Sequence, residues 1–331
     1  MSATIITNLL PYRWLLAIGL LCLTYEQAPA SDNYGLFEFQ DGKKQVEIPF
    51  HTFNNQIILR VKVNRKIPLN FMLDTGSRQA ILFDLKLAKD LEIDMGRQIA
   101  FSGVGNERMV SAFRTTGVTL GLPGIEGKRM GMVVLNQDYL SMKDYDIQGI
   151  IGYQLFYRFA IKIDYENRIL TISDPGIFKP DKAATAFDLD VDSAKPVLQA
   201  KAGFDEEVFH SCNLLIDTGA SYSMSLFLGS SPAFDKRKIK GGIRSIGKGL
   251  GGTVNGKVHQ VLLQLNQIGY SLPTICLTPR SYSKRGKITD GINGAIGGEF
   301  LSNFVVTFNY SKGKLYLEPQ FEQPLVIQGA Y

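Results

Sequence analysis

The sequence contains few of the side chains that build metal centres. Its 331 residues include only three histidines and three cysteines. The histidines, His51, His210 and His259, are far apart and show no metal-ligand spacing. No metal site and no cofactor are therefore expected, and each histidine is interpreted as a surface or structural residue.

The sequence also lacks the signatures of nucleotide and nucleic-acid binding. The glycine-rich run at residues 247–252 does not open a helix after a strand, which excludes a dinucleotide or phosphate loop. The net charge of +5 is mild, and the basic residues are scattered apart from Lys236-Arg237-Lys238, which is interpreted as a solvated turn. We therefore expect no nucleic-acid partner.

Long hydrophobic runs are absent. The main apolar run, Trp14–Leu23, is too short to span a bilayer, which takes about 20 apolar residues. It follows Arg13 and precedes Ala28-Pro29-Ala30, a small-x-small cleavage pattern. These features predict a signal peptide over residues 1–30, cleaved after Ala30, and a periplasmic or secreted protein with no stable membrane insertion. An uncleaved membrane anchor is the alternative.

Two cysteines remain after the predicted cleavage, Cys212 and Cys276. In an oxidising compartment they could form a disulfide. Each could equally be a small buried hydrophobic residue on a strand. The sequence alone leaves both interpretations open.

Glycine and β-forming residues are what the sequence has in quantity. It contains 33 Gly and 13 Pro, and few long helical patterns. The segment Gln56–Val63 alternates between apolar and charged residues, as a half-buried strand does. The sequence therefore predicts an all-β protein with a few short helices.

Two aspartates occur in the same local pattern. Asp74 follows an apolar strand and lies in Phe71–Ser77, which reads FMLDTGS. Asp217 follows a second apolar strand and lies in Asn213–Ser221, which reads NLLIDTGAS, 143 residues later. Two carboxylates presented in the same frame by the two halves of one chain indicate a single site shared between two lobes.

The elements around the two aspartates recur in the same order. Each DTG is followed by a glycine-bearing hairpin tip and then by an Ile-Gly pair, in Gly149–Gly152 and in Gly294–Gly297. The second glycine of each segment lies 78 and 80 residues after its aspartate. This matched spacing predicts an internal duplication. The predicted parts are an N-terminal lobe at 31–175, a linker at 176–186, a C-terminal lobe at 187–320 and a tail at 321–331.

These motifs resemble those of clan AA aspartic peptidases. Each half is similar to a retropepsin subunit, with IIGYQLF and AIGGEFL matching its apolar-Ile-Gly segment. The whole, roughly residues 45–318, is similar to a pepsin-like enzyme in the duplicated, single-chain form of a bacterial aspartyl protease family. The resemblance implies an acid protease fold, with two pseudo-symmetric β-barrel-like lobes around a central cleft, and aspartic-type endopeptidase activity.

The resemblance also implies roles for individual residues. Asp74 and Asp217 would be the catalytic pair at the floor of the cleft. The rest of the two turns and the Ile-Gly segments would support them: Thr75, Gly76, Ser77, Ile151, Gly152, Thr218, Gly219, Ala220, Ile296 and Gly297. The hairpin tips would be flaps over an extended polypeptide substrate: Gly103, Val104, Gly105, Gly247, Gly249 and Gly251.

The chemistry expected of such a pair follows from its charge. Two carboxylates about 3 Å apart cannot both ionise easily, so they share one proton. The ionised carboxylate acts as general base on a water, and the protonated one donates to the scissile carbonyl oxygen. No covalent intermediate is needed. Because both carboxylates belong to one chain, we expect a monomer.

The sequence departs from the family pattern in two places. Ser77 follows the first DTG and can donate to Asp74, whereas Ala220 follows the second and cannot. Because losing a donor raises a carboxylate pKa, we predict a less acidic pH optimum than with hydroxyls at both positions.

The second departure is in the first flap. No tyrosine lies between Phe101 and Phe113, where pepsin-like enzymes carry one. This absence keeps open the alternative of a non-catalytic peptide- or ligand-binding protein on the same fold. A structural β-protein of the envelope would leave the paired turns unexplained.

Overall fold

The computed structural model is mostly β, which confirms the predicted fold class. It describes nine segments of the chain: residues 35–101, 110–136, 145–192, 194–205, 208–235, 242–249, 252–277, 291–320 and 326–327. Three short α-helices occur in these segments: α1 (Leu85–Asp90), α2 (Tyr153–Arg158) and α3 (Gly298–Leu301). No helix in these segments is long and apolar enough to cross a membrane.

The first lobe is a nine-stranded sheet that curls into a barrel-like shape. Its strands are β1 (Phe37–Phe39), β3 (His51–Phe53), β4 (Gln56–Val63), β5 (Pro68–Leu73), β6 (Ala80–Leu82), β7 (Arg97–Phe101), β8 (Val110–Leu122), β9 (Ile125–Leu135) and β10 (Gly149–Ile151). Their order is β1-β9-β6-β10-β5-β4-β8-β7, with β3 beside β4. Pairing of β8 with β9 closes the sheet on itself.

The second lobe is an eight-stranded sheet. Its strands are β14 (Val197–Gly203), β15 (His210–Asp217), β16 (Met224–Phe227), β17 (Arg244–Gly249), β18 (Gly252–Leu265), β19 (Ile268–Leu277), β20 (Gly294–Gly297) and β23 (Val326–Ile327). Their order is β17-β18-β14-β15-β20-β16-β19-β23. Corresponding strands lie in the same order across the two sheets. The order is β7-β8-β4-β5-β10-β6-β9 in the first lobe and β17-β18-β14-β15-β20-β16-β19 in the second. The two lobes are therefore pseudo-symmetric.

A third sheet of six strands joins the lobes. Its strands are β2 (Gln45–Pro49), β11 (Ala160–Asp164), β12 (Ile169–Ser173), β13 (Thr185–Asp188), β21 (Phe304–Asn309) and β22 (Lys314–Pro319). The order is β13-β22-β21-β11-β12-β2, so the central pair, β11 and β21, brings one strand from each half. Residues 160–164 pair with residues 305–309 there. Phe156 of α2 packs on Phe308 of β21 across the same boundary, with ring centroids 5.1 Å apart.

Residues 80–82 form β6 between β9 and β10, and α1 begins at Leu85. The Asp84 side chain caps α1 by accepting from the Lys86 backbone N–H at 2.7 Å, which fixes the start. Strand β13 begins at Thr185, inside the predicted linker at 176–186, and pairs with β22.

Candidate active site

The sheet carries each aspartate into the same position of its lobe. Phe71, Met72 and Leu73 are fully buried on β5, and the chain turns directly after them at Asp74. β15 ends at Asp217 in the same way. The turn closes when the Ser77 N–H donates to the Asp74 carbonyl at 3.2 Å, and the Ala220 N–H does the same for Asp217 at 3.2 Å. Both carboxylates are completely buried.

The Ile-Gly segments lie directly beside the two turns. β10 runs parallel to β5, and the Asp74 N–H donates to the Ile151 carbonyl at 2.9 Å. β20 runs parallel to β15, which places Ile296 and Gly297 beside the second turn. A Cβ atom at Gly152 would lie 2.0 Å from the Asp74 carbonyl oxygen. Only glycine permits this close approach, so the Ile-Gly segment packs directly against the turn and holds it in place.

Two threonines bond the turns to each other. Thr75 Oγ1 donates to the Ile216 carbonyl at 2.6 Å and accepts from the Thr218 N–H at 3.0 Å. Thr218 Oγ1 donates to the Leu73 carbonyl at 2.9 Å and accepts from the Thr75 N–H at 3.1 Å. Because both side chains are fully buried, each of these bonds satisfies a group that has no access to water. The turns therefore form one rigid unit.

A Thr218→Val variant is expected to lose roughly 2–5 kcal/mol of unfolding free energy, because the Leu73 carbonyl and the Thr75 N–H would be left buried without a partner. Urea denaturation measures this loss. Thr218→Ser is the matched control, since it keeps the hydroxyl and removes only the methyl group. Equal stability of the valine and serine variants would contradict the role given to these bonds.

The two carboxyl groups face each other between the turns. The Gly76 N–H donates to Asp74 Oδ1 at 2.7 Å, and the Gly219 N–H donates to Asp217 Oδ1 at 3.0 Å. The outer oxygens, Asp74 Oδ2 and Asp217 Oδ2, accept no hydrogen bond from any other residue in the described segments. The carboxyl groups are within hydrogen-bonding reach of each other. One proton shared by the pair supplies the hydrogen for this bond.

The environment of the pair favours a shared proton. Burial raises the pKa of Asp74 well above its usual range, and the charge of Asp217 raises it further. Burial also raises the pKa of Asp217, to about 6. Hydrogen bonds from Asp74 and from the Gly219 and Ala220 N–H groups act against that rise. The pair therefore retains a proton at a pH at which an isolated aspartate is ionised.

The residue after each DTG differs between the two turns. Ser77 Oγ donates to the Gln79 carbonyl at 2.8 Å, which competes with the predicted donation to Asp74. Ala220 is fully buried. Burial is the largest cause of the raised pKa of both carboxyl groups, and the less acidic pH optimum stays a prediction.

The structure adds residues that the motifs did not reveal. Gln56 begins β4, is fully buried, and donates from Nε2 to the Gly219 carbonyl of the opposite turn. Asn55 donates from Nδ2 to the Ser221 carbonyl at 3.1 Å. Lys195 is 3% exposed, and its charge acts on both carboxyl groups. No sequence signal marked these three polar residues, because each lies at or just before the start of an ordinary strand.

Of the predicted flap residues, only two can be placed. Gly247 and Gly249 lie on β17, which pairs with β18 through Gly247 with Val254 and Gly249 with Gly252. A hairpin therefore occurs at this position of the second lobe. Gly103, Val104, Gly105 and Gly251 lie outside the described residues, as does the basic run at 236–238.

The disulfide interpretation of Cys212 and Cys276 is wrong in this structure. Both thiols are free and buried in the core. Cys212 lies on β15 and Cys276 on β19, with β20 and β16 between them. Adjacent strands are about 4.8 Å apart, so this separation exceeds the Cα distance that a disulfide allows. Burial raises the pKa of each thiol to about 12. Both cysteines act as small core residues.

Comparison with known families agrees with this geometry. A family model described as aspartyl protease matches residues 59–155. The matched range includes Asp74 and its Ile-Gly segment, and it ends inside α2. No curated protein matches the chain. The match supports an aspartic peptidase family and a peptidase-type hydrolase, and the all-β architecture agrees with an aspartic protease fold.

Proposed function

We propose that the protein is an exported aspartic endopeptidase in a duplicated, bilobal form. The observation that carries the proposal is the buried pair Asp74 and Asp217, presented by two corresponding turns that the threonine bonds hold together. The corresponding strand orders of the two lobes support the duplication. The predicted signal peptide over residues 1–30 is the basis for export.

In the proposed mechanism the pair binds one water between its outer oxygens. Asp217, ionised, removes a proton from this water as it attacks the scissile carbonyl carbon. Asp74, protonated, donates its proton to the carbonyl oxygen, which gives a neutral tetrahedral diol. When the diol collapses, the amine leaves with a proton and the pair again holds one proton. The substrate is a polypeptide bound in extended form, and one chain is the whole catalyst.

The test is cleavage of a chemically denatured protein between pH 3 and pH 8. Mass spectrometry of the products should show internal fragments, as an endopeptidase gives, and Asp217→Asn should give almost none. Asp41→Asn is the matched control, because Asp41 is exposed and has a backbone φ of 56°, which asparagine adopts readily. Absence of turnover by the wild type across this range would favour the alternative, a binding protein on the same fold.

Export is tested separately. The N-terminal residue of the mature protein, isolated from a cell that makes the full chain, should be Ser31. A mature chain that begins at residue 1 would contradict cleavage after Ala30.

A further inference from the structure

Lys195 is a buried cation beside the candidate active site. It is 3% exposed, although lysine is almost never fully buried. The next residue, Pro196, accepts a hydrogen bond through its carbonyl from the Ile216 N–H at 2.8 Å. Ile216 directly precedes Asp217. The backbone next to Lys195 therefore lies directly beside the strand that ends in the second turn.

The corresponding position in the first lobe carries a neutral side chain. Val197 pairs with Leu215, and Ile58 pairs with Met72, each partner lying two residues before its aspartate. Lys195 and Gln56 each lie two residues before these strand positions, so they correspond. Gln56 is fully buried and contacts the opposite turn through the Gly219 carbonyl. One lobe thus supplies an amide at this position, and the other supplies a positive charge.

The charge of Lys195 reaches both carboxyl groups, and it lowers the pKa of Asp74 and of Asp217. Other titratable groups near the pair are the hydroxyls of Tyr222 and Tyr310, which interact with Asp74. Burial raises the pKa of both hydroxyls, so they stay neutral over the pH range of the cleavage test.

Further from the pair, Tyr153 of α2 faces Tyr310 and interacts with Arg78. Burial likewise raises the pKa of Tyr153, so this hydroxyl is neutral as well. Lys195 is thus a charged side chain acting on a site whose surrounding hydroxyls carry no charge.

We propose that Lys195 is a positioning residue of the site, whose buried ammonium keeps one of the two carboxyl groups ionised. The inference rests on the proposed peptidase function and explains how so buried a pair provides a base in acid. Burial disfavours a carboxylate, and a nearby cation offsets that cost. Lys195 thereby extends the pH range of activity toward lower pH. It also gives the second lobe a positive charge at the position where the first lobe has the neutral Gln56.

The first experiment measures kcat/KM against pH with a denatured protein as substrate. Lys195→Gln copies the side chain of Gln56 and removes the charge, and Lys195→Arg retains the charge. Because the cation lowers the pKa of the pair, removing it should move the acidic limb upward by about one pH unit. Lys195→Arg should leave the limb close to that of the wild type. An unmoved limb in Lys195→Gln would overturn the proposal, since a merely structural role would lower activity without moving the limb.

A second experiment needs no activity. The ¹³C shifts of the aspartate carboxyl carbons report protonation directly, with Asp74→Asn and Asp217→Asn to assign the pair. The titration should move upward in Lys195→Gln. If Lys195→Gln does not fold, Gln56→Lys decides: a second cation should move the titration downward, and no movement overturns the proposal.

The two hypotheses can fail separately. A moved titration in a protein that cleaves nothing overturns the peptidase function and supports the electrostatic role. A cleaving wild type with an unmoved titration overturns the role of Lys195 alone.

Discussion

Replacing Asp217 by asparagine is expected to reduce kcat by roughly 10³-fold or more, the range that positioned acid–base groups contribute. Asparagine fills the same volume and can still accept from the Gly219 N–H, which donates to Asp217 Oδ1 at 3.0 Å. It cannot remove a proton from water. The measurement is kcat on a denatured protein, compared with the exposed variant Asp41→Asn. Comparable rates in the two variants would contradict the general-base role.

The same variant should change the pH dependence of stability. The folded-state pKa of Asp217 is about 6, above its ordinary value of 3.8. A raised pKa gives stability that is fully present below pH 4 and is lost as pH rises through 6. Asparagine does not titrate, so the variant escapes this loss. The unfolding free energy of the variant, relative to that of the wild type, should therefore rise by on the order of 3 kcal/mol between pH 4 and pH 8. Urea denaturation at both pH values measures the difference, and parallel curves would contradict it.

A methyl group at Gly219 is expected to have the second largest effect. A Cβ atom there would lie 2.4 Å from Asp74 Cγ and 2.7 Å from Asp74 Oδ2. Because the carboxyl group is buried, it must shift or the turns must separate. A displacement near 1 Å costs about 10²-fold in rate, and overpacking costs about 1–3 kcal/mol. Gly219→Ala should therefore be both slow and less stable.

The matched control for this variant is Gly242→Ala. A Cβ atom at Gly242 would meet nothing within 4 Å. Its unfolding free energy should stay within about 0.5 kcal/mol of the wild type. Measuring kcat and urea denaturation on both variants separates the clash from a general effect of alanine. Wild-type kcat in Gly219→Ala would show that the carboxyl group has room to move.

The core of the site could be predicted because its residues are local to two short motifs. An apolar strand followed by Asp-Thr-Gly fixes where Asp74 and Asp217 point relative to their own sheets. The Ile-Gly pairs were recognisable by spacing, and the structure places them beside the turns. The alternating strand Gln56–Val63 has the predicted bounds, because its apolar residues face a core and Arg60 and Lys62 face water.

Pairing between distant strands could not be predicted. Gln56 and Lys195 reach the site through the registers of β4 on β5 and of β14 on β15. A one-residue slip would turn either side chain away, and the sequence before a strand does not encode the register. The joining sheet could not be predicted for the same reason, since its central strands, β11 and β21, are about 145 residues apart in the chain. Likewise, the sequence does not show that two strands, β20 and β16, lie between the strands that carry Cys212 and Cys276.

The crossed threonine bonds also have a consequence for timing. Thr75 and Thr218 are 143 residues apart, and each satisfies groups of the other's turn. A nascent chain that ends before Asp217 lacks these partners and the second carboxyl group as well. Contacts of such long range form late in folding. The paired carboxyl site therefore cannot form until synthesis has passed Thr218 of the 331 residues.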